Sequence, residues 1–358
     1  MTRARLSVAL LAVLLAAGCS EGETVTVTVM TRNLYLGTDL DPLISAVSTG
    51  DPEQLVLAAT TAWVNVQLTD FPARAQKIAD EIAAAGGPDF VGLQEVSLYR
   101  VQDPADLVAG NAATVVYDFL ELVLNALAQR GLHYVVAAQV QDTDVEVPAY
   151  SPPPPDPGAH LVDLRFTDRD VLLARQGVSI SNPLGATYDA AAPLGGGLAI
   201  LRGWVSTDAE VGGKSIRVVS THLEVEYRDP PLYAYQQTQC AELIRILASE
   251  TRPTLLLGDF NSDANGTDTA SYGELRKYGF GDPWADLHPG DPGLTCCQPG
   301  NLTSAAPFKT RIDLTLYRHG FKPTSATRIG QDPVSGLPGG LLWPTDHAGV
   351  AASFTLED

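Results

Sequence analysis

The sequence predicts an α/β fold in which strands and helices alternate along the chain. Two observations support this class. Short apolar runs of strand length recur and end on polar residues, and the segments between them space their apolar residues as a helix does. Of the 358 residues, 45% are hydrophobic and only 18% are charged, so the chain has enough apolar surface to build a large core.

The first half of the chain carries two predicted strands and two predicted helices. Thr24 to Val29 alternates threonine and valine with a period of two, which is typical of a half-buried strand. The segment 72–85 has alanine and isoleucine at helical spacing, begins with a proline and stops at a pair of glycines. We predict a buried strand at 89–95 and a second helix at 115–130, which Gly131 ends.

The second half begins with a segment, 140–165, that is rich in Asp, Pro and Gly. Its four consecutive prolines predict a stiff, exposed loop rather than a linker between domains. Further strands are predicted at 171–174, 197–206, 214–221, 253–259, 311–317 and 350–355, and a helix at 232–248. Gly212 and Gly213 predict a hairpin turn between the second and third of these strands.

The N-terminus has the features of an export signal. Arg3 and Arg5 precede an apolar run at 6–16, and Ala17-Gly18-Cys19 follows as a small-residue cleavage site. The run is too short to span a bilayer. The segment resembles a bacterial lipoprotein signal, in which Cys19 is lipidated; plain secretion is the alternative. We therefore expect a signal peptide at 1–18, a short tether at 19–23 and one domain at 24–358.

The chain is strongly acidic, with 42 Asp and Glu against 23 Lys and Arg and a formal charge of −19. Removal of residues 1–18 takes away two basic and no acidic side chains, which leaves −21. This excess weighs against a protein that packages nucleic acid by neutralising its phosphates. An enzyme that meets one phosphate through a metal ion needs no basic surface, so phosphate chemistry stays open.

Three further cysteines are Cys240, Cys296 and Cys297, and export implies an oxidising compartment. Because adjacent cysteines rarely bridge each other, we expect a disulfide between Cys240 and one of the other two. A zinc site is less favoured, since the adjacent pair lacks the usual spacing of two intervening residues.

Polar residues follow the apolar runs at six places in the chain. Each alone is most simply a turn residue or a helix cap. Together they supply carboxylates for a hard divalent cation, amides for phosphate oxygens and two imidazoles for proton transfer. These strand-end residues are Asn33, Glu95, His222, Asp259 with Asn261, Asp313, and Asp346 with His347.

Six motifs resemble, in the same order, those of the endonuclease/exonuclease/phosphatase superfamily. They are Met30-Thr31-Arg32-Asn33, Gly92-Leu93-Gln94-Glu95, Ser220-Thr221-His222-Leu223, Gly258-Asp259-Phe260-Asn261, Arg311-Ile312-Asp313 and Thr345-Asp346-His347. That superfamily includes deoxyribonucleases, abasic-site endonucleases, inositol phosphatases and neutral sphingomyelinases. The resemblance implies a four-layered α/β sandwich of two mostly antiparallel sheets flanked by helices, with the site at one end.

The resemblance also implies a role for each matching residue. Glu95 would be the main ligand of Mg²⁺ or Mn²⁺, and Asp346 would join it or bind a second ion. Asn33 and Asn261 would donate hydrogen bonds to phosphate oxygens. Asp259 would orient or deprotonate the attacking water.

Two histidines complete the implied site. His347, held by Asp313, would form an imidazole–carboxylate pair, and His222 would contact the phosphate or protonate the leaving oxygen. Glu224 and Glu226 are candidates to orient His222. The reaction would be in-line attack of water on phosphorus, without a covalent intermediate.

Two departures from the family pattern affect the site. Tyr35 stands where some abasic-site endonucleases have an additional metal-binding acid, with Asp39 or Asp41 as candidate replacements. Arg169 and Asp170 stand where relatives often have Gly-Asn. We interpret Arg169 as the partner of a nearby acid in preference to a phosphate clamp.

For the substrate, the first interpretation is an exported phosphodiesterase of nuclease type acting on nucleic acid. The alternative is a phospholipase C-like or sphingomyelinase-like enzyme that acts on phospholipid head groups and is held at the membrane by lipidated Cys19. For this alternative, the segment 63–68 could be an exposed apolar loop, although helix or core is favoured. A catalytically silent surface binding module is a further alternative. We expect a monomer.

Overall fold

The computed structural model describes residues 25–195, 198–225, 233–266 and 268–356. The helices are α1 (Asp41–Thr49), α2 (Pro52–Leu68), α3 (Phe71–Ala84), α4 (Phe119–Gln129), α5 (Tyr233–Ile246), α6 (Ser271–Lys277) and α7 (Pro283–Leu287). The strands are β1 (Thr26–Asn33), β2 (Phe90–Gln94), β3 (Leu98–Gln102), β4 (Thr114–Asp118), β5 (Tyr134–Tyr150), β6 (Leu161–Arg175), β7 (Ser179–Thr187), β8 (Ala192–Gly195), β9 (Leu198–Ile200), β10 (Gly203–Val211), β11 (Lys214–His222), β12 (Thr254–Asp259), β13 (Asp313–Arg318), β14 (Phe321–Ile329) and β15 (Gly349–Leu356).

The predicted signal peptide and tether, including Cys19, lie outside the described residues, and so does Glu226. The domain start at residue 24 therefore stays a prediction. Among the described helices, none is both long enough and apolar enough to cross a bilayer.

Two large sheets form the centre of the fold. Sheet A has eight strands in the order β14-β15-β1-β2-β6-β3-β4, with β5 also paired to β6. Sheet B has five strands in the order β13-β12-β11-β10-β7. Neighbouring strands are antiparallel, except that β1 runs parallel to β2 and β11 runs parallel to β12.

Three hydrophobic cores separate four layers. The first core joins α2, α3 and α4 to the outer face of sheet A and includes Trp63 and Phe119. The second lies between the sheets and includes Phe90 and Leu257, and the third joins sheet B to α5 and α6 through residues such as Leu243. Strands buried on both faces need continuous apolar runs, as the sequence shows. The predicted four-layered α/β sandwich is confirmed.

Two predicted elements are wrong in part. The segment 115–118 belongs to strand β4, and helix α4 begins only at Phe119, because the Asp118 carboxylate caps it by accepting from the backbone N–H of Leu120 at 3.1 Å. The segment 140–165 is mostly strand, since β5 continues to Tyr150 and β6 begins at Leu161. The run of prolines lies in the short connection between these two strands.

The strand directions place the polar strand ends at one edge of the sandwich. In sheet A the parallel strands β1 and β2 end together, so Asn33 and Glu95 are neighbours. In sheet B the parallel strands β11 and β12 place His222 opposite Asp259. The antiparallel strand β13 begins with Asp313, also opposite Asp259. Both sheets therefore contribute to the same site.

Candidate active site

The polar strand ends meet at a pocket of about 540 Å³. Asn33 and Asp313 lie directly behind its wall and are fully buried. The structure thus brings together all eight residues that the sequence predicted for catalysis, phosphate binding and metal binding. The six that line the pocket are Glu95, His222, Asp259, Asn261, Asp346 and His347.

Asn33 links the two sheets at this site. Its Nδ2 donates to Oε1 of Glu95 at 3.1 Å and to Oδ2 of Asp259 at 3.0 Å. The other oxygen of Glu95 accepts from the backbone N–H of Leu36 at 2.7 Å. Both amide hydrogens of Asn33 are engaged, so in this arrangement Asn33 positions two carboxylates instead of offering a donor to phosphate.

Three residues at the site have left-handed backbone: Tyr35 (φ 57°), Glu95 (φ 55°) and Asn261 (φ 46°). This conformation costs a residue other than glycine about 1–2 kcal/mol. Local hydrogen bonds offset the cost, such as the bond from the Asn261 N–H to the Asp259 carboxylate at 3.0 Å. The chain therefore turns sharply after a strand and places Glu95 and Asn261 in the pocket wall.

His347 and Asp313 form the predicted imidazole–carboxylate pair, with 2.9 Å between Nδ1 and Oδ2. Oδ2 of Asp259 lies 3.7 Å from the same nitrogen. Burial alone would lower the pKa of His347, but Asp313, Asp346 and Asp259 outweigh it and hold this pKa well above its usual value. His347 is therefore an imidazolium at neutral pH, with Nε2–H as its second donor.

Asp259 has the opposite character. Burial and the charge of Asp313, against the opposing effect of His347, raise the pKa of its carboxyl to about 7. A carboxylate whose pKa lies near the working pH is suited to take a proton from water. His347 is thus a cation and Asp259 a potential base, and Nδ1 of the first lies 3.7 Å from Oδ2 of the second.

Arg202, to which the sequence did not point, fixes the tautomer of His222. Its Nη1 donates to Nδ1 of His222 at 3.0 Å. Because a guanidinium can only donate, the ring proton lies on Nε2, which is 3.7 Å from Oδ2 of Asp259. The amide nitrogen of Asn261, also a donor, lies 3.3 Å from Nε2 and donates instead to the Leu223 carbonyl at 2.9 Å. Burial and the charge of Arg202 hold the pKa of His222 well below its usual value. His222 is therefore a neutral donor, suited to a phosphate oxygen and unsuited to protonating a leaving group.

Replacement of Arg202 is expected to change both the rate and its pH dependence. Arg202 is itself placed by Asp168 at 3.7 Å and Glu224 at 3.6 Å. In Arg202→Met we expect kcat/KM to fall about 10- to 100-fold and the pKa of His222 to rise, since the neighbouring charge is lost. The checks are a pH profile of kcat/KM and partial rescue in Arg202→Lys. A loss of stability with an unchanged profile would contradict this positioning role.

Two more buried arginines were missed by the sequence interpretation. Arg74 donates to the carbonyls of Leu34 (2.8 Å), Tyr35 (3.0 Å) and Pro344 (2.8 Å), which joins the loop after β1 to the loop before Asp346. Arg32 pairs with Glu81 and donates to the carbonyl of His347. The loops that carry the site are therefore held from behind by charged side chains, which hydropathy patterns assign to the surface.

The carboxylates fit a divalent cation. Oδ1 of Asp346 is buried and has no hydrogen-bond partner among the described residues. Burial raises the pKa of Asp346 to about 6, and Glu95 adds to the shift against the opposing effect of His347. A cation between Glu95 and Asp346 would remove this repulsion. A further group of potential ligands occurs among the described residues of the site, Asp259 with Asp313 and His347.

The predicted disulfide of Cys240 is wrong. The structure pairs Cys296 with Cys297 and leaves Cys240 as a buried free thiol on α5. Cys240 belongs to the core between sheet B and its helices, where its thiol donates to the Ser271 carbonyl at 3.5 Å, whereas the other two cysteines line the catalytic pocket. Sγ of Cys297 lies 3.8 Å from Nε2 of His347.

The two departures from the family pattern have structural explanations. The hydroxyl of Tyr35 donates to the Gly300 carbonyl at 2.9 Å, and Asp39 lines the pocket rim. Arg169 pairs with Asp118 at 2.6 Å, as expected, and does not line the pocket. Neither position supplies an additional group at the centre of the site.

Behind Arg202 lies a buried cluster of acids, Asp142, Asp168 and Asp170. Burial raises the pKa of Asp168 to about 7 and holds the pKa values of Asp142 and Asp170 well above their usual range. Among the described residues, no hydrogen-bond donor contacts the carboxyl oxygens of Asp142 or Asp170 except the other carboxyl of this pair. This pair is therefore stable only when at least one member is protonated.

The free energy of unfolding should fall as the pH rises from about 4 to about 7, in part because of Asp168. Its folded pKa lies above the unfolded value of about 3.9, so the native state binds the extra proton in this window. We expect Asp168→Asn to flatten the decline by more than about 1 kcal/mol, since one pKa unit corresponds to about 1.4 kcal/mol. Urea unfolding at several pH values measures the difference, with exposed Asp332→Asn as the control.

The fold and the site together define a class: a four-layered α/β hydrolase whose polar pocket lies at the end of two facing sheets. The chain belongs to the Endonuclease/Exonuclease/phosphatase family, whose model matches residues 62–347. Members of this family are hydrolases that act on phosphoester bonds. No curated protein sequence matches the chain.

Solved structures agree with this fold. A humanized D. rerio TDP2 shares 13% identity at a TM-score of 0.52, over 92% of this chain and 98% of that one. An endonuclease/exonuclease/phosphatase family protein from Bacteroides thetaiotaomicron shares 13% identity at a TM-score of 0.55, over 94% of this chain and 96% of that one. The human Nocturnin catalytic domain with bound sulfate anion shares 16% identity at a TM-score of 0.51, over 93% of this chain and 94% of that one. At these identities the likeness concerns the fold alone.

Proposed function

We propose that the protein is a metal-dependent phosphodiesterase that cleaves its substrate by in-line attack of water on phosphorus. One observation carries the proposal: the Asp259 carboxyl, the His347 imidazole held by Asp313 and the His222 imidazole held by Arg202 converge on one pocket. Membership of a family of phosphoester hydrolases supports it. Among the described residues, two basic side chains line the pocket, Arg202 and Lys309, and this small number favours a substrate with one phosphate over one with several.

The chain's own residues divide the proton transfers among them. Asp259 takes a proton from the attacking water while Asn33 holds its carboxylate in place. His347, fixed by Asp313, donates from Nε2 to the leaving oxygen as the bond from phosphorus to that oxygen breaks. His222 donates a hydrogen bond to a phosphate oxygen. A divalent cation, Mg²⁺ or Mn²⁺, held by Glu95 and Asp346 would neutralise charge on the phosphate oxygens.

The direct test is an assay of residues 20–358 against bis-p-nitrophenyl phosphate and p-nitrophenyl phosphate, with Mg²⁺, Mn²⁺ or EDTA. We expect the diester to be cleaved faster than the monoester, and only with metal. DNA, RNA and phospholipid then decide between the nuclease-type substrate that the sequence favours and a lipid. No turnover of either ester, together with no measurable metal binding, would overturn the proposal and favour a surface binding module.

Export and lipid anchoring through Cys19 belong to the same proposal. The basic residues, the apolar run and Cys19 support it. In a bacterial host the chain should incorporate labelled fatty acid and appear in the membrane fraction, whereas Cys19→Ser should not. Labelling that persists in Cys19→Ser would contradict this anchoring site.

A further inference from the structure

A second cavity, of about 90 Å³, adjoins the catalytic pocket. Four residues line both spaces, so the two are direct neighbours: Leu36, Thr38, Leu40 and Arg202. From there the cavity extends between α1 and α2 on one side and strands β5 and β6 on the other. A single water needs about 10–15 Å³ of such space, so the cavity holds more than isolated waters.

We propose that this apolar cavity binds the hydrocarbon chain of a lipid phosphodiester whose phosphate lies in the catalytic pocket. This inference rests on the proposed phosphodiesterase activity and specifies its substrate class. It also commits the cavity to one occupant, a chain that belongs to the substrate itself.

The lining of the cavity has the chemistry that a hydrocarbon chain requires. Apart from Thr38, Thr143, Asp168 and Arg202, the lining side chains are aliphatic or aromatic. Two of these four, Thr38 and Arg202, lie where the cavity meets the catalytic pocket. Burial of such surface against methylene groups is favourable, at about 0.8 kcal/mol per methylene.

The polar groups inside the cavity are already engaged for the most part. The Thr143 hydroxyl accepts from the backbone N–H of Leu201 at 2.9 Å, and the Tyr99 hydroxyl donates to the Leu36 carbonyl at 2.8 Å. Within the described residues, Nε1 of Trp63 has no partner. A nucleobase would bring several donors and acceptors into this space and find few partners, and each one left unpaired is costly. An alkyl chain brings none.

Position and charge also favour a lipid. Trp63 and Val66 lie on helix α2, where their side chains are buried and line the cavity, so the segment 63–68 is not an exposed loop. Leu198, 39% exposed, lies at the cavity's edge on β9. The formal charge of −19 opposes a polyanion, whereas a lipid phosphodiester brings one negative charge at the phosphate.

The test is a homologous series of n-alkyl p-nitrophenyl phosphates with methyl, butyl, octyl and dodecyl chains, each used below its micelle concentration. In each reaction water adds to phosphorus and the bond from phosphorus to the p-nitrophenyl oxygen breaks. The leaving group is p-nitrophenolate, and the other product is an alkyl phosphate. We expect kcat/KM to rise about two- to fourfold per methylene until the cavity is full, and then to level off. Equal kcat/KM for methyl and octyl esters would overturn the lipid assignment and leave the phosphodiesterase intact.

Two variants test whether the alkyl chain of the substrate binds in this cavity. Ala62 lines the cavity, and Ala62→Phe should remove the dependence on chain length, so that the methyl and octyl esters are cleaved with equal kcat/KM. Thr61→Phe, at the adjacent exposed position of the same helix, is the matched control and should keep the dependence. Because Ala62 is buried, Val145→Phe on the half-buried cavity wall of β5 provides a second block should Ala62→Phe fail to fold.

Binding provides a readout that needs no catalysis. Titration calorimetry with n-alkyl phosphocholines should show affinity that rises with chain length in the unmodified protein and not in Ala62→Phe. Equal affinity across the series would overturn the inference even if no ester is cleaved. A kcat/KM for an oligonucleotide more than tenfold above that for the octyl ester would overturn it in favour of nucleic acid.

Discussion

Replacing His347 by alanine is expected to lower kcat for phosphodiester cleavage by about 10²- to 10⁴-fold, the usual contribution of a positioned proton donor. The reason is the state of the ring. Nδ1 is held by Asp313 at 2.9 Å, and three carboxylates keep the pKa of His347 well above its usual value, so Nε2 presents a proton to the pocket at neutral pH. The measurement is kcat with bis-p-nitrophenyl phosphate at saturating metal.

Controls separate this role from a loss of folding. Exposed His160→Ala, in the loop between β5 and β6, should retain full activity. Asp313→Asn should keep the fold but lower kcat about 10²-fold or more, because an amide can accept from Nδ1–H without stabilising the imidazolium. A better leaving group needs less protonation as it departs. The fall in kcat caused by His347→Ala should therefore be smaller for substrates with better leaving groups. A deficit that is the same for all leaving groups would contradict the assignment of His347 as the proton donor.

The layers of the fold were predictable because burial leaves a strong pattern. Segments such as Thr254–Asp259 are apolar at every position except the two ends, since alternate residues face two different cores. Strand β5 was missed because most of its residues are exposed or half-buried, so Asp and Glu alternate with Val as they would in a loop. Helix α4 was predicted to begin too early because Val115 and Val116 continue its apolar spacing, while Asp118 sets the actual start.

The candidate site was predictable as far as its residues recur at strand ends. Asn33, Glu95 and Asp259 were expected as separate contributors, and the structure joins them through the Asn33 amide. Arg202 was not predictable, because an arginine at the start of a strand has no periodic signature and its contact with His222 spans a separation of 20 residues. The apolar cavity was not predicted for a related reason: its walls come from seven helices and strands, and each wall residue alone resembles a core residue.

Replacing Glu95 by glutamine should remove metal binding and most of the activity. Glutamine keeps the size of Glu95 but only one of the two hydrogen bonds that the carboxylate accepts, from the N–H of Leu36 and from the side-chain amide of Asn33. The second is lost because an NH2 group cannot accept a hydrogen bond. Loss of the negative charge weakens a hard cation's site directly. We expect kcat/KM to fall about 10²- to 10³-fold and the affinity for Mn²⁺, measured by calorimetry without substrate, to fall in parallel.

The measurement of Mn²⁺ affinity distinguishes a structural role of Glu95 from a role as metal ligand, because the two roles predict different results. If Glu95 only orients Asn33 and the loop after β1, Glu95→Gln lowers the free energy of unfolding and leaves Mn²⁺ affinity unchanged. If Glu95 is a ligand, the added stability that Mn²⁺ confers on the protein disappears in the variant, since ligand binding to the native state stabilises it by mass action. Glu146→Gln, at a half-buried carboxylate that accepts from the N–H of Ala112 at 2.8 Å away from the pocket, is the matched control and should retain both the metal response and the activity.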